Sequence, residues 1–156
     1  MTESLYGSLI RTFLTMTAPV ELQQLNSEPG VLELRVDALT CSVTPLADGE
    51  NLVIQCPIAC PEALDMQNNL AFLRLLHSLN WATSCDTGVS ILLDDSHGAI
   101  VHKRLSIKQI NAHRLEQELA SLLEAAHQLQ IMLTQLPCPK VKTGDSLSNT
   151  PTGLRA

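Results

Sequence analysis

Near the start of the chain, Leu5, Leu9, Ile10, Phe13 and Leu14 recur at steps of three and four, with Tyr6, Arg11, Thr12 and Thr15 between them. That spacing predicts an amphipathic helix over residues 3–17, stopped by Pro19. From Val31 the period changes to two: Val31, Glu33, Arg35 and Asp37 interleave with Leu32, Leu34 and Val36, the pattern of a strand with one wet face. Residues 39–44 read as a second strand, 47–51 as a turn and 52–58 as a third strand, together an antiparallel meander. Pro57 and Pro61 close it, and Pro61, Glu62 and Asp65 open a helix expected to run to about Leu79. Its apolar set, Leu64, Met66, Leu70, Phe72, Leu73, Leu75, Leu76 and Leu79, spreads over more than one face. One stripe can enter the chain's own core, and the remainder calls for another cover.

Residues 80–88 read as a polar connection, 89–93 as a fourth strand, 94–98 as a turn and 99–105 as a fifth strand. Asn111 offers an N-cap to a last helix, in which Leu115, Leu119, Leu122, Ala126, Leu129, Leu133 and Leu136 keep helical steps. Leu136-Pro137 ends it. The expected fold is therefore α+β in the order αβββαββα, an antiparallel sheet flanked by three helices. It spans residues 1–136, and 137–156, rich in Pro, Thr, Ser, Gly and Lys, reads as a flexible tail.

Composition narrows the function classes. With 45% hydrophobic and 17% charged residues among 156, the chain can bury a core and make one domain. A formal charge of −6 and scattered basic residues argue against a nucleic-acid partner. The densest basic group, Lys103, Arg104 and Lys108, reads as an exposed strand edge and helix start. Only Tyr6, Phe13, Phe72 and Trp81 are aromatic, so core and any sticky surface must be aliphatic. The first residues lack a basic region and a clean apolar run, and no stretch approaches the ~20 apolar residues of a membrane span. A soluble cytoplasmic protein without membrane insertion is expected, and the odd set Cys41, Cys56, Cys60, Cys85 and Cys138 fits reduced thiols.

No catalytic constellation emerges. Cys56 and Cys60 are separated by three residues rather than two and have no matching second pair, so they read as small buried groups rather than metal ligands. Cys85, among Thr83, Ser84 and Asp86, reads as a loop cysteine. Asp95, Ser96 and His97 contain the residue types of a hydrolase triad, but three consecutive turn residues cannot converge, and Asp94-Asp95 fails as a carboxylate pair for the same reason. His77, His102, His113 and His127 join no motif, and no glycine-rich phosphate loop is present. The expectation is a protein that is not an enzyme and needs no metal or other cofactor.

The element order, the leucine-rich helix 70–76, the strand-turn-strand 89–101 and the final helix 113–135 together resemble the class I type III secretion chaperones, the Tir-chaperone-like family, over residues 3–136. The resemblance implies a bacterial, cytoplasmic homodimer. It would hold the N-terminal chaperone-binding segment of a secreted effector in extended, secretion-competent form without ATP hydrolysis, with the secretion-apparatus ATPase as a further partner. Carried onto this chain, it implies effector contacts at Leu5, Leu9, Phe13, Leu32 and Leu34, and a subunit interface at Leu70, Leu73, Leu76 and Trp81. A two-fold contact would cover the surplus apolar face of the middle helix, and sheet edges could accept an extended partner strand. The alternatives are a small regulatory or adaptor protein of similar fold, and a small enzyme or ligand-binding domain using the Cys and His residues.

Overall fold

The computed structural model describes residues 4–16, 23–26, 30–60, 70–94 and 98–135. Its elements are α1 (Leu5–Met16), β1 (Gln23–Asn26), β2 (Leu32–Val36), β3 (Leu39–Pro45), β4 (Asn51–Ala59), α2 (Leu70–Thr87), β5 (Ser90–Asp94), β6 (Gly98–Ser106), a 3-10 turn (Ile107–Gln109) and α3 (Ala112–Gln135). The six strands form one antiparallel sheet in the order β1-β2-β3-β4-β6-β5. The expected α+β class and the meander, now β2-β3-β4, are both present. The opening of the middle helix at Pro61, Glu62 and Asp65, most of the turn at 95–97 and the tail 137–156 lie outside the described residues.

Alternation decides which face is buried. Leu32 and Leu34, Leu39, Cys41 and Val43, Leu52, Ile54, Cys56 and Ile58, and Ala99 and Val101 all enter one core with Phe13 of α1 and Leu115, Leu122, Leu129 and Leu133 of α3. The Tyr6 hydroxyl fastens α1 to β3 by donating to the Val43 carbonyl at 2.8 Å. Asn111 caps α3 as expected, its Oδ1 accepting the Arg114 N–H at 2.8 Å. The opposite sheet face carries the row Glu33, Ser42, Gln55, His102 and Ser90, aligned by register across five strands and never fully buried.

Three expectations need correction. First, β1 adds a strand where none was read: Gln-Gln-Leu-Asn has neither length nor alternation, and it becomes a strand only by pairing with β2, with a bulge between Gln24 and Asn26. Second, residues 80–87 are not a polar connection but the second half of α2. Their polar side chains are satisfied in the helix: Thr83 Oγ1 donates to the Leu79 carbonyl at 2.9 Å and Thr87 Oγ1 to that of Thr83 at 2.8 Å. Gly88, with φ of 68°, then ends the helix in the left-handed conformation open to glycine.

Third, Lys103 is not on an exposed edge. β6 lies inside the sheet, and Lys103 Nζ sits 2.5 Å from Glu118 Oε2, whose other oxygen takes Arg114 at 2.8 Å. Lys103 also donates to the Thr87 carbonyl, where the helix dipole favours a cation. Arg104 and Lys108 are likewise paired, with Asp48 at 3.0 Å and Glu50 at 2.6 Å. The basic cluster is thus spent inside the chain.

Breaking a buried ion pair leaves its partner charge uncompensated, whereas replacing both members is far milder. Lys103→Ala is therefore expected to cost about 3 kcal/mol in urea unfolding. The double change Lys103→Met with Glu118→Leu should recover most of that loss.

Burial also fixes a response to alkali. It pushes the Cys41 thiol up to about 11 and the Tyr6 phenol up to about 12; at Cys56 burial, with Cys41 nearby, gives about 12. These groups are held neutral in the fold, so their contribution is complete below the unfolded thiol value of about 8.5 and fades as pH rises through 11 to 12. Urea midpoints are expected to fall over that window, with a shallower fall in Cys41→Ala.

Candidate protein-binding surface

α2 is the least embedded helix. Its positions divide around the axis: Phe72 is buried in the core, Leu76 and Leu79 lean on it, and the opposite side carries Leu70, Leu73, His77 and Trp81 toward solvent. Leu70 is 59% exposed and Trp81 72%. The wide apolar set read from the sequence thus resolves into one stripe inside and one outside.

Beside it runs β5, the outer strand of the sheet, with Leu92 and Leu93 also exposed. The run Val89-Ser90-Ile91-Leu92-Leu93 lacks strict alternation because Val89 and Ile91 enter the core while the two leucines stay out. α2 and β5 are joined by Asn80, whose Oδ1 accepts the Ile91 N–H at 3.0 Å. That bond uses an outward donor of the edge strand, so an added strand cannot pair there without displacing Asn80. Neither Leu92, Leu93 nor Asn80 stood out in the sequence; the unbroken leucine pair after Ile91 was the available signal.

Among the five positions assigned to effector contact, only Leu5 faces solvent, 61% exposed at the start of α1. Leu9, Phe13, Leu32 and Leu34 are inside the chain's own core, the first pair because α1 lays that side on the sheet, the second because their side of β2 is the covered one. Met16, at the far end of α1, is exposed and was not singled out. At the second assigned surface, Leu70, Leu73 and Trp81 are accessible, and Leu76 is half-turned into the core.

Chemistry offers no competing site among the described residues. No group of three His, Cys, Asp or Glu side chains is arranged to hold a metal ion. Cys60 and, more strongly, Cys56 and Cys41 are pushed up by burial, the opposite of an activated thiol. Asp48 is held below the usual carboxylate range, but by the Asn51 side chain and the N–H groups of Glu50 and Asn51, then by Arg104, which makes it a turn anchor. No described helix is long and apolar enough to cross a membrane.

Fold and surface together define an α+β protein-binding module whose apolar surface is aliphatic. The chain belongs to the Tir chaperone protein (CesT) family, whose model matches residues 17–130, and it is accordingly a type III secretion chaperone that binds effectors. No curated protein matches its sequence. Among solved structures, that of the ExsC-ExsE complex is similar at 20% identity and a TM-score of 0.67, covering 84% of this chain and 97% of that one. The HopA1-SchA chaperone-effector complex is similar at 16% identity and 0.64, covering 81% and 94%. The Yersinia pestis type III secretion chaperone SycH, in complex with a stable fragment of YscM2, is similar at 19% identity and 0.60, covering 80% and 98%. At these identities the likeness is one of fold.

Truncation separates the two kinds of leucine. Leu34→Ala is expected to destabilise the protein by about 3 kcal/mol through the cavity it leaves. Leu5→Ala should stay within about 0.5 kcal/mol, as exposed substitutions do. Urea unfolding of both variants checks the contrast.

Proposed function

We propose that this chaperone works as a homodimer in the bacterial cytoplasm, holding the N-terminal chaperone-binding segment of a secreted effector in extended, secretion-competent form. It does so by binding alone, without nucleotide hydrolysis, and the secretion-apparatus ATPase receives the loaded complex. The observation that carries this reading is the outer stripe of α2, Leu70, Leu73 and Trp81, continued by Leu92 and Leu93. An isologous contact covers such a stripe with its own copy, one patch serving both subunits. The charged side chains on that side of α2 are few, so little desolvation opposes the contact.

The effector segment has two supports. α1 offers Leu5 and Met16 above a floor of Leu9, Phe13, Leu32 and Leu34, which act from beneath by fixing the helix rather than by touching the partner. The sheet offers β1, its outer strand on that side among the described residues, for strand addition, since Asn80 occupies the β5 edge at Ile91. Main-chain pairing there needs no particular effector sequence, and side chains of the added strand then select among partners. The HopA1-SchA chaperone-effector complex, and SycH as a type III secretion chaperone holding a fragment of another protein, support the reading by the kind of assembly they contain.

The test is purification from the native bacterium, with mass spectrometry of the bound protein and light scattering of the complex. Two copies of the chain with one secreted protein are expected, and Leu73→Arg should give a monomer. A monomeric native protein carrying no protein partner would overturn the proposal.

A further inference from the structure

Two of the buried thiols stand opposite each other on neighbouring strands. β3 and β4 pair with Ser42 against Gln55, Val43 against Ile54, Thr44 against Val53 and Pro45 against Leu52. One step further along the same antiparallel register puts Cys41 against Cys56. Both side chains lie on the covered face of the sheet, 1% and 0% exposed, and Cys41 is close enough to add to the rise at Cys56.

The hydrogen-bond pattern decides what kind of opposed pair this is. In an antiparallel ladder, pairs that exchange N–H···O bonds alternate with pairs that do not, and the unbonded ones stand closer, with Cα atoms about 4.5 Å apart. The Leu46 N–H donates to the Asn51 carbonyl at 2.8 Å, which makes Leu46-Asn51 a bonded pair where the β3-β4 turn closes. In steps of two from there, Thr44-Val53 and Ser42-Gln55 fall on bonded sites, and Pro45-Leu52, Val43-Ile54 and Cys41-Cys56 on unbonded ones. The prolines agree with that phase. Pro45, which lacks an N–H, stands at an unbonded site, and the scored ladder stops at Ser42-Gln55 because Pro57 has no N–H for the next bonded pair, with Thr40. An unbonded pair lies within the Cα separation of about 4.4–6.8 Å that a disulfide spans. Among the described cysteines no other meets this condition with Cys56: Cys60 lies four residues further along the chain, about 13 Å away when extended, and Cys85 is on α2.

We propose that Cys41 and Cys56 are a modification site, closed by a small-molecule disulfide such as oxidised glutathione into a cross-strand disulfide that the sheet accepts with β3 and β4 where they stand. The thiolate of one cysteine attacks a sulfur of the reagent, a mixed disulfide forms and one glutathione thiol leaves. The second cysteine's thiolate attacks the protein sulfur of that mixed disulfide, the Cys41–Cys56 bond forms and the second glutathione thiol leaves. The protein gives up two electrons and two protons, and the two glutathione thiols carry them away. Because both cysteines are shut in the core, the reagent reaches them while β3 and β4 are apart, before folding or during an opening of the pair, and the fold then closes over the product. The new bond ties the strands together beside the place where Pro57 leaves out a ladder hydrogen bond, and it restrains the unfolded chain between residues 41 and 56.

The test is oxidative refolding of the full chain. The protein is reduced and unfolded in urea, then refolded in a buffer of reduced and oxidised glutathione. Remaining thiols are alkylated, and the peptides are mapped without reduction by mass spectrometry. The expected product carries a Cys41–Cys56 link, and its urea midpoint lies about 1 M above that of the reduced protein, as for a disulfide closing a loop of this length. A Cys41→Ser chain should lose both the link and the shift, and a chain carrying Cys60→Ser, Cys85→Ser and Cys138→Ser should keep both. A map in which Cys56 is joined to Cys60, the shorter loop that an unfolded chain favours, or in which glutathione stays on Cys41 or Cys56, overturns the proposal. So does a mapped Cys41–Cys56 link that lowers the urea midpoint, because the sheet then distorts to make it.

Discussion

Glu118 is the carboxylate around which the three helical and sheet components are fixed. It sits on α3, buried, with Lys103 of β6 on one oxygen and Arg114 of its own helix on the other. A lone buried charge would be intolerable, so the position of α3 on the sheet has to be the one that brings Lys103 to it. The same ammonium takes the Thr87 carbonyl and so holds the end of α2, a helix that puts only Phe72 fully into the core. Hydrophobic burial sets how strongly α3 and the sheet adhere; this polar junction sets where α2 ends and therefore which side of it faces outward.

The division between buried and presented apolar surface follows from that placement. The sheet has one covered face, occupied by α1 and α3, and α2 is left beside β5 rather than on top of the sheet. A helix beside an edge can bury only a narrow stripe, and the leucines beyond it stay in solvent. Asn80 turns this location into protection, since its bond to the Ile91 N–H blunts an edge strand that otherwise exposes Leu92 and Leu93. The arrangement concentrates exposed apolar side chains where helix and edge strand meet. The acidic charge of the chain keeps such a surface from associating at random.

Most of the architecture was legible because its signals are local. The period-two run of β2, the Asn111 cap and the long leucine pattern of α3 each contain their own structural reason, and each stands where it was read. What the sequence concealed depends on contacts distant along the chain. Gln23–Asn26 is a strand because β2 is beside it. Thr83 and Thr87 look like loop residues until their hydroxyls are seen on the carbonyls one turn back, and Lys103 looks like a surface lysine until Glu118 arrives from α3. The candidate surface suffered most: spacing placed Leu5, Leu9 and Phe13 on one side of a helix, yet only tertiary packing tells that Leu9 and Phe13 are under it and Leu5 is free.

A surface made of leucines, with Trp81 as its one aromatic among the exposed large apolar residues, has a physical consequence for partner choice. Aromatic anchors fill deep, shaped pockets and concentrate binding energy in a few residues. Aliphatic side chains instead contribute burial that depends on area more than on geometry, and strand addition contributes backbone bonds that any extended segment can make. A chaperone built this way can hold a segment without demanding that it fold. What such a surface asks of its partner is apolar area and free backbone groups rather than a fixed folded shape.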